Sequence, residues 1–138
     1  MLAAERIEGL VKSKQVVLIR EWSHIATVFA ETETRLYFNG KLVVSGPPTK
    51  AVGGTHFVVG NAGENHPREY FLGQIRSVRI SKGERYESDF TPDEQCIKDA
   101  DDAPAKAVLI YDGSTVEGDR VIDLSGEDNH GTWERLMP

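Results

Sequence analysis

Two short apolar-rich runs flank an Asn-Gly pair: Arg35-Leu36-Tyr37-Phe38 before Asn39-Gly40, and Lys41-Leu42-Val43-Val44 after it. Both central residues of a two-residue type I′ turn take φ > 0, which Asn and Gly tolerate best, so the pattern predicts a hairpin. A third run, Trp22-Ser23-His24-Ile25-Ala26-Thr27-Val28-Phe29, lies upstream. It joins the hairpin through Glu31-Thr32-Glu33-Thr34, a polar stretch of hairpin-loop length. The first third of the chain therefore reads as a three-stranded antiparallel meander. Further upstream, residues 15–19 form a compact β-branched run that favours a strand. Residues 5–12 alternate weakly and read as another strand, because Gly9 weakens a helix over 3–12.

Residues 45–55 carry Pro47, Pro48, Gly46, Gly53 and Gly54 and predict a long surface loop. A short strand over 56–60 follows, then a second long polar loop over 61–69. The next strand spans 70–81. Its apolar residues Ile75, Val78 and Ile80 keep one face only if a β-bulge lies near Arg76-Ser77. Thr91-Pro92-Asp93-Glu94 has the N-cap, first-turn proline and acidic N3 of a helix start, which predicts one short helix over 92–98. Residues 107–111 and 121–124 read as strands. The turn-rich stretch 123–131 is closed by Thr132-Trp133. Many short strands separated by turn signals, with no fixed-period repeat, predict an all-β antiparallel sandwich.

A length of 138 residues predicts a single domain over 1–138, with enough chain to bury a core. Hydrophobic residues make up 39% and charged residues 28%, the balance of a globular chain rather than a disordered one. The net charge of −6 speaks against a nucleic-acid partner, which would favour a basic face. Cys96 is the single cysteine, so neither an internal disulfide nor a cysteine zinc site can form. No run is long and apolar enough to insert into a membrane. Residues 1–5 show no signal-peptide pattern.

The order of motifs carries a resemblance. Trp22-Ser23-His24-Ile25-Ala26, Leu36-Tyr37-Phe38-Asn39-Gly40, Val59-Gly60-Asn61, Gly73-Gln74-Ile75 and Val78-Arg79-Ile80-Ser81 together resemble the laminin G-like branch of the concanavalin A-like lectin/glucanase jelly rolls. Arg85-Tyr86 and Asp89-Phe90-Thr91-Pro92 resemble the tail of such domains. Asp123-Leu124-Ser125-Gly126 with Asn129-His130-Gly131 resembles the family's D-x-S-G-x-x-N-H-G element. The resemblance implies an all-β, antiparallel two-sheet jelly-roll sandwich. It also implies a family that mostly binds glycans or proteins, often extracellular or at the cell surface. The family's opening strands should precede Trp22, where only residues 1–21 stand, so they are expected to be missing. Family members often place an acidic residue, associated in some with calcium, where this chain has Arg76.

A glycoside hydrolase of the laminarinase type would need an acid and a nucleophile flanking the bond, roughly 5–10 Å apart. The nearest carboxylate pairs, Glu31 with Glu33 and Glu117 with Asp119, fall in predicted loops rather than on a sheet face. Ser125 has no nucleophile-elbow context and reads as a turn residue. His24, His56, His66 and His130 share no metal-ligand spacing. Asp123, Glu127, Asp128 and Asn129 are a partial oxygen set for calcium and compete with a solvated Asx turn, so no cofactor is expected. Trp22 and Trp133 read as packing residues. Sugars stack on exposed rings and bond planar polar groups, and Asn61, Glu64, Asn65, His66 and Tyr70 form the cluster of that kind.

The expectation is a non-catalytic recognition module binding glycan or glycoprotein through loops at one rim. The alternatives are a structural or protein-interaction domain of a larger cell-surface protein and, remotely, a glycoside hydrolase. The apolar run Val16-Val17-Leu18-Ile19 and the missing strands further predict a homodimer, with residues 5–20 packing across a two-fold interface.

Overall fold

The Asn39-Gly40 pair makes the expected turn, with φ of 49° at Asn39 and 77° at Gly40. The computed structural model that contains it describes residues 11–14, 16–49, 57–60, 70–92 and 105–133. The turn joins β2 (Thr34–Phe38) to β3 (Lys41–Gly46), and β1 (Ile25–Phe29) lies on the other side of β2. All pairings in this sheet are antiparallel. The β2–β3 register slips between Leu36 and Tyr37, a bulge that leaves Val43 without a direct partner. The β1–β2 loop is closed by Ala30 N–H donating to the Glu33 carbonyl at 2.9 Å.

A two-stranded sheet pairs β4 (Ser77–Lys82) with β5 (Lys106–Asp112). A third, small sheet has β6 (Val116–Glu117), β7 (Arg120–Val121) and β8 (Gly131–Thr132) in that order. Every described sheet is antiparallel, and the only helical piece among the described residues is a 3-10 turn at Gly113–Thr115. The molecule is thus all-β, in keeping with a jelly-roll sandwich.

Register sorts the meander into two faces. Ala26, Val28, Arg35 and Tyr37 share one face. Val28, Arg35 and Tyr37 are buried there, Tyr37 at 0% exposure. Ile25, Thr27, Phe29, Leu36 and Phe38 share the other, which is more open. The second buried cluster is β5 and its approach: Ala105, Ala107, Leu109 and Ile110. Burial on both sides of β5 explains its near-continuous apolar sequence.

Several expectations are corrected. Residues 16–19 form no strand, and Val16, Leu18 and Ile19 are exposed. β-branched residues favour a strand only where a neighbour packs them, and Arg20, at φ 68°, turns the chain instead. Residues 57–60 likewise join no ladder, and Gly60 turns at φ 84°. The strand expected over 70–81 is only β4. Residues 71–76 precede it outside any ladder, and the register shift falls between Ile80 and Ser81 rather than near Arg76-Ser77. The strand expected over 121–124 ends at Val121, because Asp123 turns away into a loop. The β6–β7 hairpin, turning at Gly118 with φ 66°, has too few apolar residues to show in sequence. Thr91 and Pro92 are not helical, and the rest of the expected 92–98 helix lies outside the described residues, as do 5–10 of the first expected strand.

Candidate functional site

The tip of the meander is docked onto a segment far along the chain. Phe90 N–H donates to the Gly40 carbonyl at 2.8 Å, and Leu42 N–H donates to Asp89 Oδ1 at 2.9 Å. Lys41 Nζ reaches Asp89 Oδ2 at 3.1 Å. The bond from Leu42 and the one from Lys41 together hold the Asp89 carboxyl below its ordinary range. Beneath this clasp, the Tyr86 and Phe90 rings stack at 3.6 Å and 4°, and Tyr37 and His24 abut both rings. Tyr37 O–H donates to the Tyr86 carbonyl at 3.3 Å. Buried Arg35 donates to the Glu87 carbonyl at 3.1 Å, bonds Glu84, and lies 3.6 Å from Glu33. Burial, and then the Arg85 charge, push the His24 pKa down, so its ring is neutral at neutral pH. The sequence did not single out this cluster as a unit. Its signals were the Tyr86 and Phe90 positions, whose partners lie too far away in sequence to be read from spacing.

Two depressions adjoin the tip and share Asn39. One, of about 340 Å³, is lined by Lys14, Val16, Leu18, Glu21, Ser23 and Phe38 as well. The other, of about 460 Å³, runs along Lys41, Asp89, Phe90, Thr91 and Pro92.

The element at 123–131 is built around one carboxylate. Asp123 Oδ1 accepts the N–H groups of Ile110 at 2.8 Å and Ser125 at 2.9 Å. Oδ2 accepts Ser125 Oγ at 2.8 Å and Asn129 N–H at 3.0 Å. Burial works to raise the Asp123 pKa, but these bonds outweigh it and hold the carboxyl low. Its own N–H donates to His130 Nδ1 at 3.0 Å, which fixes that ring with Nδ1 unprotonated. Asn129 Nδ2 donates to the Val108 carbonyl at 2.7 Å, and Tyr111 O–H donates to the Asn129 carbonyl at 2.7 Å. Burial raises the Tyr111 pKa and the Asp123 charge adds to it. A Cβ on Gly131 would stand 2.8 Å from that hydroxyl, so glycine is needed there for space.

Two of the residues considered for calcium, Asp123 and Glu127, are engaged within the chain. A carboxylate has about four lone-pair sites, and donors occupy that many on Asp123. Asp128 is left exposed 3.7 Å from His130 Nε2, and Glu127 pairs with Lys106. No group of three or more potential metal ligands occurs among the described residues. The element is a clasp that pins the loop to β5.

The carboxylates considered for hydrolysis lie in loops or at the end of a short strand. Glu31 and Glu33 lie in the β1–β2 loop, and Glu33 leans on Arg35. Glu117 ends β6, and Asp119 is the turn residue whose carbonyl accepts Trp133 N–H at 2.6 Å. Trp22 and Trp133 are both more than half exposed, so neither packs in the core.

Of the glycan cluster, Asn61, Glu64, Asn65 and His66 lie outside the described residues, as do His56 and Cys96. Tyr70 is described and is 38% exposed. The Phe71 N–H donates to the Gly60 carbonyl at 2.9 Å, which ties together the two ends of the 61–69 loop. Phe57, Tyr70 and Phe71 are exposed around that neck.

No helix among the described residues is long and apolar enough to cross a membrane. Neither curated proteins nor solved structures give a match to the chain. A laminin G family model, described as the concanavalin A-like lectin/glucanases superfamily, matches residues 3–89. The match takes in the meander, the 61–69 loop, β4 and most of the docked tail, and it stops short of the Asp123 clasp. It begins at residue 3, upstream of Trp22. Domains of this kind are generally non-catalytic binding modules and typically extracellular. With more than half its length matched, the chain belongs to the laminin G-like branch of the concanavalin A-like lectin/glucanases superfamily.

Proposed function

We propose that the protein is a non-catalytic module that recognises glycan or glycoprotein through the loop from Asn61 to Tyr70, without a metal. The observation that carries this reading is the Gly60–Phe71 bond. It closes a long polar loop onto a neck where Tyr70 and Phe71 are 38% and 44% exposed. Sugar rings stack their C–H faces on aromatic rings while paired hydroxyls bond planar amide and carboxylate groups. Along the chain, Tyr70 and Phe71 directly follow the stretch that bears Asn61, Glu64 and Asn65, so both kinds of partner come from one short segment. Asn61, Glu64, Asn65 and His66 are the polar partners in this reading, and Tyr70 is the platform.

A glycan array with the wild-type chain tests it, followed by titration of the best ligand. Tyr70→Ala is expected to weaken binding about tenfold, the scale of one lost stacking partner. A chelator is expected to leave binding unchanged. An array with no ligand, or a ligand insensitive to Tyr70→Ala and Asn65→Ala, would overturn the assignment.

A further inference from the structure

The two edges of the meander differ. On β3, the Leu42 N–H is capped by Asp89, and the neighbouring Lys41 is paired to the same carboxylate. The Leu36/Tyr37 bulge bends that edge, and Pro47-Pro48 follow it. These are devices that stop a strand edge from pairing with another chain. β1 carries none of them. Its sequence, Ile25-Ala26-Thr27-Val28-Phe29, has no charge, proline or glycine.

The register shows which groups are left over. Asn39 N–H donates to the His24 carbonyl, and Ala30 N–H donates to the Glu33 carbonyl. In an antiparallel ladder these bonds alternate, so His24, Ala26, Val28 and Ala30 point their main-chain groups toward β2. Ile25, Thr27 and Phe29 therefore point theirs outward. Their side chains are open as well, Ile25 at 47% and Phe29 at 55%.

We propose that β1 pairs with β1 of a second copy, antiparallel about a two-fold axis at Thr27, joining two meanders into one continuous sheet. The edge is complementary to itself. With Thr27 on the axis, Ile25 meets Phe29 of the partner subunit, an aliphatic–aromatic cross-strand pair, and Thr27 meets its own copy. About six main-chain hydrogen bonds form. Charge favours this edge over others: the chain carries −6, yet β1 brings no charged side chain into the contact. Area supports it too. Leu18, Ile19 and Trp22, just upstream, are exposed. With Ile25 and Phe29 they offer roughly 500 Å² in all, more than half of the roughly 800 Å² per partner of a stable interface. Because β3 is guarded, pairing stops at two copies. The N-terminal apolar run thus joins the interface beside β1 rather than forming its centre.

Light scattering across micromolar to submillimolar concentration is expected to give twice the chain mass. Ile25→Lys places a charge on the edge without touching the buried face. Thr27→Pro removes an outward N–H and no β1–β2 bond. Both are expected to yield monomer. Hydrogen exchange of the wild-type protein gives an independent reading that needs no variant. The Thr27 amide is expected to exchange at least about tenfold more slowly at the concentration where the dimer forms. A monomeric mass throughout, a dimer that survives both substitutions, or a Thr27 amide protected equally at every concentration would each overturn the pairing. The last result would mean that β1 is covered within one chain.

Discussion

Asn39 and Gly40 take the same backbone sign for different ends. Asn39 tolerates the left-handed region and uses its side chain to accept the His24 N–H at 2.8 Å, fastening the start of β1. Gly40 is buried, and a Cβ built on it would overlap the Phe90 carbonyl oxygen and stand 2.9 Å from Pro92 Cδ. Two demands, positive φ and close approach, fall on one position. Gly40→Val is therefore expected to cost at least about 2–4 kcal/mol, combining strain with a displaced contact. Urea denaturation measures it. A loss below about 0.5 kcal/mol, the range of a neutral surface change, would contradict the docking of the tip.

At the scale of elements, legibility followed the range of the interactions. The β2–β3 hairpin was readable because Asn39-Gly40 specifies its own turn. β5 was readable because its apolar run needs no partner to be recognised. Residues 16–19 read as a strand and are not one, because β-propensity describes a fit to neighbours that the run does not have. Asp123 shows the same limit in the candidate site. With Glu127, Asp128 and Asn129 it read as a partial oxygen set for a cation, yet one of its donors is the Ile110 N–H, which only the fold brings up. Tyr70, the ring at the end of the 61–69 stretch, is exposed. The stack of Tyr86 on Phe90 was not legible, because its floor, Tyr37, lies in another strand. Asp123→Asn tests the clasp: an amide turns one donor toward donors, and a loss of about 2–4 kcal/mol is expected. The pH dependence has a definite sign. The folded carboxyl titrates below its ordinary 3.8. Its contribution is complete above that value and is lost as pH falls through the lower, folded one. The Asn variant should lack that part of the acid limb, so the gap to wild type should narrow toward low pH. A constant gap down to about pH 2 would show that the charge is irrelevant.

For the whole molecule, the docked meander tip has a kinetic consequence. The turn at Asn39-Gly40 closes a contact between adjacent residues, so it can form within microseconds. The contacts that hold it down, from Arg35, Tyr37, Lys41 and Leu42, span 47 to 52 residues. Closing loops of that length spends chain entropy before the Tyr86–Phe90 stack returns anything, so the hairpin should lead and the clasp should follow the rate-limiting barrier. Substitutions at the two ends of the same Gly40–Phe90 contact should then separate in a chevron. Gly40→Val should slow refolding, because the turn is part of the nucleus. Phe90→Ala should speed unfolding and leave the refolding arm almost where it was. If Phe90→Ala slowed refolding as much as Gly40→Val, the distant segment would already be in place when the barrier is crossed, and the order of events would be reversed.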